Sequence, residues 1–287
     1  MSAPAVDATA PVDWPGLHNV VAYYDDFYSG GAPEGREGFA LLADLGIVTI
    51  ISVDGAAPDV EAARTHDMQY IHLPIGYDGI EQARVLELTR ATRDSIANGP
   101  VYVHCHHGKH RSAGAAGAIA VSLGWLTHDE AVARMRVSGT SNDYPGLYAA
   151  AATATRLSDE ILDAVAANFP AVSRPAGITR TMVEIDFVND NLKAIRDAGW
   201  QTPADHPDLV PAAEVGRLVD LMRFLKDDPS VQDQPGDFFA QLDAALGAAN
   251  ALEALVTARE PVPAEHLTSQ FALIGQSCKS CHRAFRN

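Results

Sequence analysis

Val101-Tyr-Val-His-Cys-His-His-Gly-Lys-His-Arg-Ser112 is a short β-branched and aromatic run that ends on a cysteine, with five residues between Cys105 and Arg111. The run predicts a strand over 101–105. The small apolar stretch at 113–123 predicts a buried helix behind it. A strand that brings Cys105 to the edge of a sheet, followed by a tight loop, turns successive backbone N–H groups towards one point and makes an anion nest. The following helix aims its positive end into the same hollow. Such partial charges should lower the thiol pKa and leave Cys105 largely as thiolate at neutral pH. Arg111 closes the ring with a planar fork that can hold two phosphate oxygens. Ser112 can donate a hydrogen bond to the sulfur when it becomes a leaving group. Attack by sulfur on a phosphate ester needs these parts in this order.

The segment resembles the Cys-x5-Arg signature of the protein tyrosine and dual-specificity phosphatases, with His104, Cys105, Gly108, Arg111 and Ser112 at the motif positions. The resemblance extends over about 20–150, since Tyr28-Ser-Gly-Gly-Ala-Pro33 and Leu45-Gly-Ile-Val-Thr-Ile-Ile-Ser-Val53 look like that family's opening. It implies a general-acid Asp on a mobile loop after the strand that precedes the nucleophile strand. That place is Pro74-Ile-Gly-Tyr-Asp-Gly79, so Asp78 is the candidate acid, with Gly76 and Gly79 as hinges and Asp54 as the runner-up. The loop interior, His106, His107, Gly108, Lys109 and His110, is the expected substrate-binding surface. Lys109 stands where phosphoinositide phosphatases of this superfamily carry a lysine. A phosphoprotein, an inositol phosphate or another small phosphate ester all remain open as substrates, and this chemistry needs no cofactor.

With 287 residues, 47% of them hydrophobic, the chain has room for two ordinary domains. Its net charge of −16 argues against nucleic acid as a partner and makes the basic cluster at 106–111 a local exception. No apolar run is long enough to span a bilayer. Strand patterns at 19–28, 47–53, 68–75 and 101–105 alternate with helical ones at 34–45, 57–66, 80–97 and 113–123, and Thr127–Val137 opens with a capping box. This order predicts an α/β domain, a mainly parallel sheet with helices on both faces. Residues 147–167 read as a further helix. Residues 1–18 read as a flexible start, 19–168 as the phosphatase-like domain and 169–177 as a linker.

Residues 178–287 have helical period throughout, in segments 178–198, 212–226, 238–258 and 263–286. They predict an all-α antiparallel four-helix bundle. The last segment holds Cys278-Lys-Ser-Cys-His282, the pattern of c-type haem attachment. Two thiols one turn apart can form thioethers to one haem, and the adjacent His282 can ligate its iron. Over about 177–287 the chain resembles the cytochrome c′ family, whose ending appears here as Gly275, Cys278, Cys281, His282, Phe285 and Arg286. The resemblance implies covalent haem c and, on the first helix, a distal residue for which Met182 is the candidate. It also implies NO, CO or a redox partner at the iron. Bundles of that family often dimerise, so it allows a homodimer. Haem attachment of this kind implies a periplasmic or exported protein whose signal is not in this chain. A native start at Met1 would instead imply the cytoplasm and no haem.

Overall fold

A computed structural model of the chain describes residues 6–55, 57–77, 79–173, 177–204, 206 and 209–285, the side chain of Thr179 apart. The chain divides into two compact units, Met1–Ser173 and Arg174–Asn287.

The first unit is built on a mixed six-stranded sheet in the order β1-β2-β3-β6-β4-β5. Its strands are β1 (Val12–Trp14), β2 (Leu17–Tyr24), β3 (Phe27–Gly31), β4 (Thr49–Ser52), β5 (Gln69–His72) and β6 (Val101–Cys105). The helices are α1 (Gly35–Asp44), α2 (Val60–Arg64), α3 (Gln82–Ile96), α4 (Arg111–Ser122), α5 (His128–Val137), α6 (Pro145–Ala152) and α7 (Asp159–Asp163). Strands β3, β6, β4 and β5 run parallel, and β1 and β2 are antiparallel to their neighbours. The long β-branched runs suit strands buried on both faces. On one face Ile50, Tyr70 and Tyr102 pack with Phe39, Leu42 and Ala63 of α1 and α2. Strand alternation turns Ile51 and Val103 to the opposite face, where α3 and α4 cross the sheet. Every residue of α4 is buried, which its Ala- and Gly-rich sequence allows. The capping box at Thr127 and Glu130 starts α5.

Three expectations need correction. The strand read over 19–28 is two strands joined at Asp25–Asp26, where Asp26 takes φ 59°. Residues 29–31 therefore lie inside β3, next to the nucleophile strand. The start read as flexible contains β1, which pairs Val12 with Val20, and Asp7 accepts a hydrogen bond from Ala22 N–H. The helix read over 147–167 is two short ones, α6 and α7. Ser158 caps α7 by accepting from Ile161 N–H, a local bond that competes with a continuous helix.

The second unit has four long helices, α8 (Gly177–Asp197), α9 (Pro211–Asp227), α10 (Gly236–Val256) and α11 (Ala264–Phe285), with a 3-10 turn at Pro229–Val231. Consecutive helices pack against each other around one core that includes Val188, Leu192, Leu218, Leu225, Leu252 and Ile274. Trp200, just past α8, donates from Nε1 to Thr268 Oγ1 at 2.9 Å and stacks edge-on against Phe271 of α11. No helix among the described residues is long and apolar enough to cross a membrane.

Candidate functional site

Cys105 ends β6 in the middle of the sheet, and Arg111 begins α4. Of the five residues between them, three have carbonyls held by groups outside the loop. His106 O accepts from Ala32 N–H at 3.2 Å, Gly108 O from Asn19 Nδ2 at 2.9 Å and Lys109 O from Thr140 Oγ1 at 2.6 Å. In a trans peptide the C=O and the next N–H point opposite ways. The N–H groups of His107, Lys109 and His110 are therefore turned inward. Asn19 adopts φ 55° and also bonds Ser138 O at 2.9 Å, so one buried amide ties the loop to the end of α5.

Gly108 is required where it sits. It has φ +73°, and a Cβ there would lie 2.2 Å from Gly31 N and 2.3 Å from Gly30 C. Gly30 is constrained as well, because a Cβ would meet the Tyr102 hydroxyl at 2.2 Å. Both contacts explain the small residues of β3. Gly108→Ala should destabilise the first unit by at least roughly 2 kcal/mol, since the clash is with backbone and the left-handed conformation adds strain. Thermal unfolding should register this as a clear drop in the first unit's transition, accompanied by loss of tungstate binding.

The Cys105 thiol donates to Ser112 Oγ at 3.4 Å, and Ser112 donates to Gly30 O at 3.3 Å. Ser112 is thus placed to turn its proton towards the sulfur once the sulfur carries charge. Arg111, only 1% exposed, has Nη2 at 3.2 Å from Asp54 Oδ1, and its Cζ lies 4.3 Å from the centre of the Tyr77 ring. Asp54, the runner-up acid, is therefore a buried counter-ion of Arg111. Asp78, the expected acid, lies outside the described residues. The flanking residues Pro74, Gly76, Gly79 and Arg84 line a cleft of 470 Å³.

Of the loop side chains, His107 and Lys109 are exposed, and His106 and His110 are partly buried. The His110 ring accepts from Ser141 N–H at 3.3 Å and lies 4.5 Å from Tyr144. It is therefore tied to the segment at 141–144. Asn19, Thr140, Tyr77 and the true role of Asp54 were not visible in the sequence. The Asp25–Asp26 turn was the one available clue that β3 and its glycines lie beside the loop.

In the second unit, Met182 of α8, Met222 of α9 and Phe271, Cys278, Cys281 and His282 of α11 line a cavity of 580 Å³. Both cysteines are free thiols. Burial pushes both thiols above the ordinary value, and the neighbouring Cys281 adds to the rise at Cys278. Arg286, the last residue of the cytochrome-like ending, lies outside the described residues. Among the described residues no three His, Cys, Asp or Glu side chains converge as a metal-binding group.

No protein-family model matches the chain, and no curated protein matches it. Solved structures do. A crystal structure of P. aeruginosa TpbA is 23% identical and pairs 50% of this chain with 89% of its own, at a TM-score of 0.44. The core catalytic domain of the PP-IP phosphatase SIW14 from S. cerevisiae, in complex with citrate, is 18% identical over 52% of this chain and 83% of its own, at 0.35. PTPMT1 in complex with PI(5)P is 14% identical over 48% and 91%, at 0.38.

Proposed function

We propose that the first unit is a cysteine-dependent phosphatase that hydrolyses a phosphate monoester through a phosphocysteine. The observation that carries the reading is the loop between Cys105 and Arg111, with its carbonyls at 106, 108 and 109 tied outward. Oxyanion binding by fixed amides costs no reorganisation when charge develops. In the first step the Cys105 sulfur bonds to phosphorus while the ester P–O bond breaks, and the leaving oxygen takes a proton from an acid, for which Asp78 is the candidate. In the second step water attacks phosphorus and gives a proton back to the same acid, now a base, while the S–P bond breaks and Ser112 donates a hydrogen bond to the departing sulfur. The products are the alcohol and inorganic phosphate. Arg111 holds equatorial oxygens in both steps, and Asp54 and Tyr77 hold Arg111. The exposed His107 and Lys109 at the mouth suit a substrate with further negative charge, an inositol phosphate or phosphoprotein among them. Release of phosphate from an aryl phosphate tests the reading. A wild-type protein that binds phosphate without turnover would instead make the unit a phosphate-binding scaffold.

The second unit fits a c-type haem. Two unpaired thiols and His282 share one cavity with Met182 and Met222, and a cavity of 580 Å³ is of the size that holds a cofactor. Cys278 and Cys281 would hold the haem covalently, His282 would ligate its iron and Met182 would face it from α8. The bound iron would supply a redox centre or a site for a small gas. Protein made with haem-attachment machinery should keep its colour through acidified solvent extraction. The Cys278→Ser, Cys281→Ser double variant should lose the colour to the solvent. A wild type that loses its colour in the same way would overturn the haem reading.

A further inference from the structure

Residues Pro170–Ser173, the last of the first unit, lie along the open edge of β5 and meet one buried histidine there. His72 N–H donates to Pro170 O at 2.8 Å, and Ser173 N–H donates to His72 Nδ1 at 3.0 Å. An accepting Nδ1 fixes the tautomer of the neutral ring, with the proton on Nε2. Nε2 then donates to the backbone carbonyl of Asp54 at 2.8 Å. The carboxylate of the same residue holds Arg111. One line of polar contacts therefore runs from Ser173 through the imidazole and residue 54 to the guanidinium of the phosphate loop.

We propose that His72 is a positioning residue that couples the seating of Pro170–Ser173 to the setting of Arg111, so that oxyanion binding and docking of this segment reinforce each other. The proposal rests on the oxyanion reading of the Cys105 loop. Asp54 follows the end of β4, where Val53 N–H to His104 O at 2.8 Å ties the chain to β6. Beyond that point the imidazole anchors residue 54 through its carbonyl. If the anchor loosens, the carboxylate shifts and the arginine fork loses alignment with phosphate oxygens, where small displacements are costly. Coupling of two binding events is reciprocal, so an oxyanion in the loop must also tighten the segment.

Only the neutral ring can serve both partners. Burial holds His72 below its ordinary value of 6.5; the Asp54 carbonyl and carboxylate pull it back up, and Arg84 pushes it further down. Because the folded value lies below the unfolded one, the stabilisation by the ring is complete above pH 6.5 and is lost as pH falls from there through the folded value. A charged ring carries a proton on Nδ1 facing Ser173 N–H. Acid should therefore release the segment.

The test uses the full chain, tungstate as the oxyanion and amide exchange at Ser173, alongside aryl phosphate kinetics. Saturating tungstate should slow exchange at Ser173 about tenfold in the wild type. It should have no such effect in His72→Gln, whose amide NH2 can replace Nε2 as donor to the Asp54 carbonyl but whose oxygen does not stand at the Nδ1 position that faces Ser173. Ser173→Pro removes the N–H that His72 accepts from, along with the hydroxyl and the freedom of φ, and should raise KM and weaken tungstate by the same several-fold factor; it carries the test if His72→Gln fails to fold. Tungstate binding without change at Ser173, or wild-type KM and tungstate affinity in Ser173→Pro, overturns the coupling alone. An inactive wild type that binds tungstate and protects Ser173 sinks turnover and keeps the coupling. A protein that neither binds tungstate nor turns over sinks both.

Discussion

Cys105→Ser should lower aryl phosphate turnover by roughly four orders of magnitude or more, the scale seen when an enzyme loses its nucleophile. A factor of that size corresponds to about 5.5 kcal/mol of barrier. The substitution is nearly isosteric at a buried position, so thermal unfolding should move little. A serine hydroxyl needs an adjacent base to become a nucleophile. Ser112 Oγ, 3.4 Å from the sulfur, is itself a hydroxyl and cannot serve as one. The carbonyl tethers and Arg111 do not depend on the sulfur, so the variant should still bind tungstate. Residual turnover above a tenth of wild type would remove Cys105 from the chemistry.

Asp54→Ala should produce the largest loss of stability in the first unit. It removes a buried carboxylate from beside a guanidinium that is 1% exposed. Breaking one side of a buried pair typically costs about 3–5 kcal/mol. For a unit of this size each kcal/mol lowers the midpoint by about 2–4 °C. The first unit's transition should therefore fall by about 6–20 °C. Tungstate affinity should fall with it, because the fork that holds the oxyanion is no longer aimed. Asp54→Asn keeps an acceptor in place and should lose less. If Asp54 were instead the general acid, Asp54→Asn would abolish kcat at an unchanged midpoint, and that pattern would refute the counter-ion role.

The strand, cysteine, loop and helix from 101 to 122 were legible because local residue pattern and the Cys-to-Arg spacing decide them. The same holds for the Cys278–His282 cluster and for the four helical periods, the last of which contains it. The hairpin at Asp25–Asp26 was missed because two strands with similar composition flank a turn of only two residues. The break at Thr153–Ser158 was missed because an alanine-rich run has strong helix propensity, which the docking of α6 on α4 and the Ser158 cap override. The supporting residues of the site were illegible for a different reason. Asp54 lies 57 residues from Arg111, and Asn19 lies 89 residues from Gly108. Nothing local marks an aspartate as a counter-ion or an asparagine as a tether. Their roles exist only after the sheet has assembled.

The three outward tethers of the loop come from residues 19, 32 and 140, near the start and the end of the first unit. A growing chain that has produced Cys105 and Arg111 but not Thr140 therefore holds the reacting pair without a finished receptacle. Competence arrives late in synthesis, when the far end of the unit closes over its beginning. Until then a passing phosphate group meets a loop that has no fixed shape to recognise it.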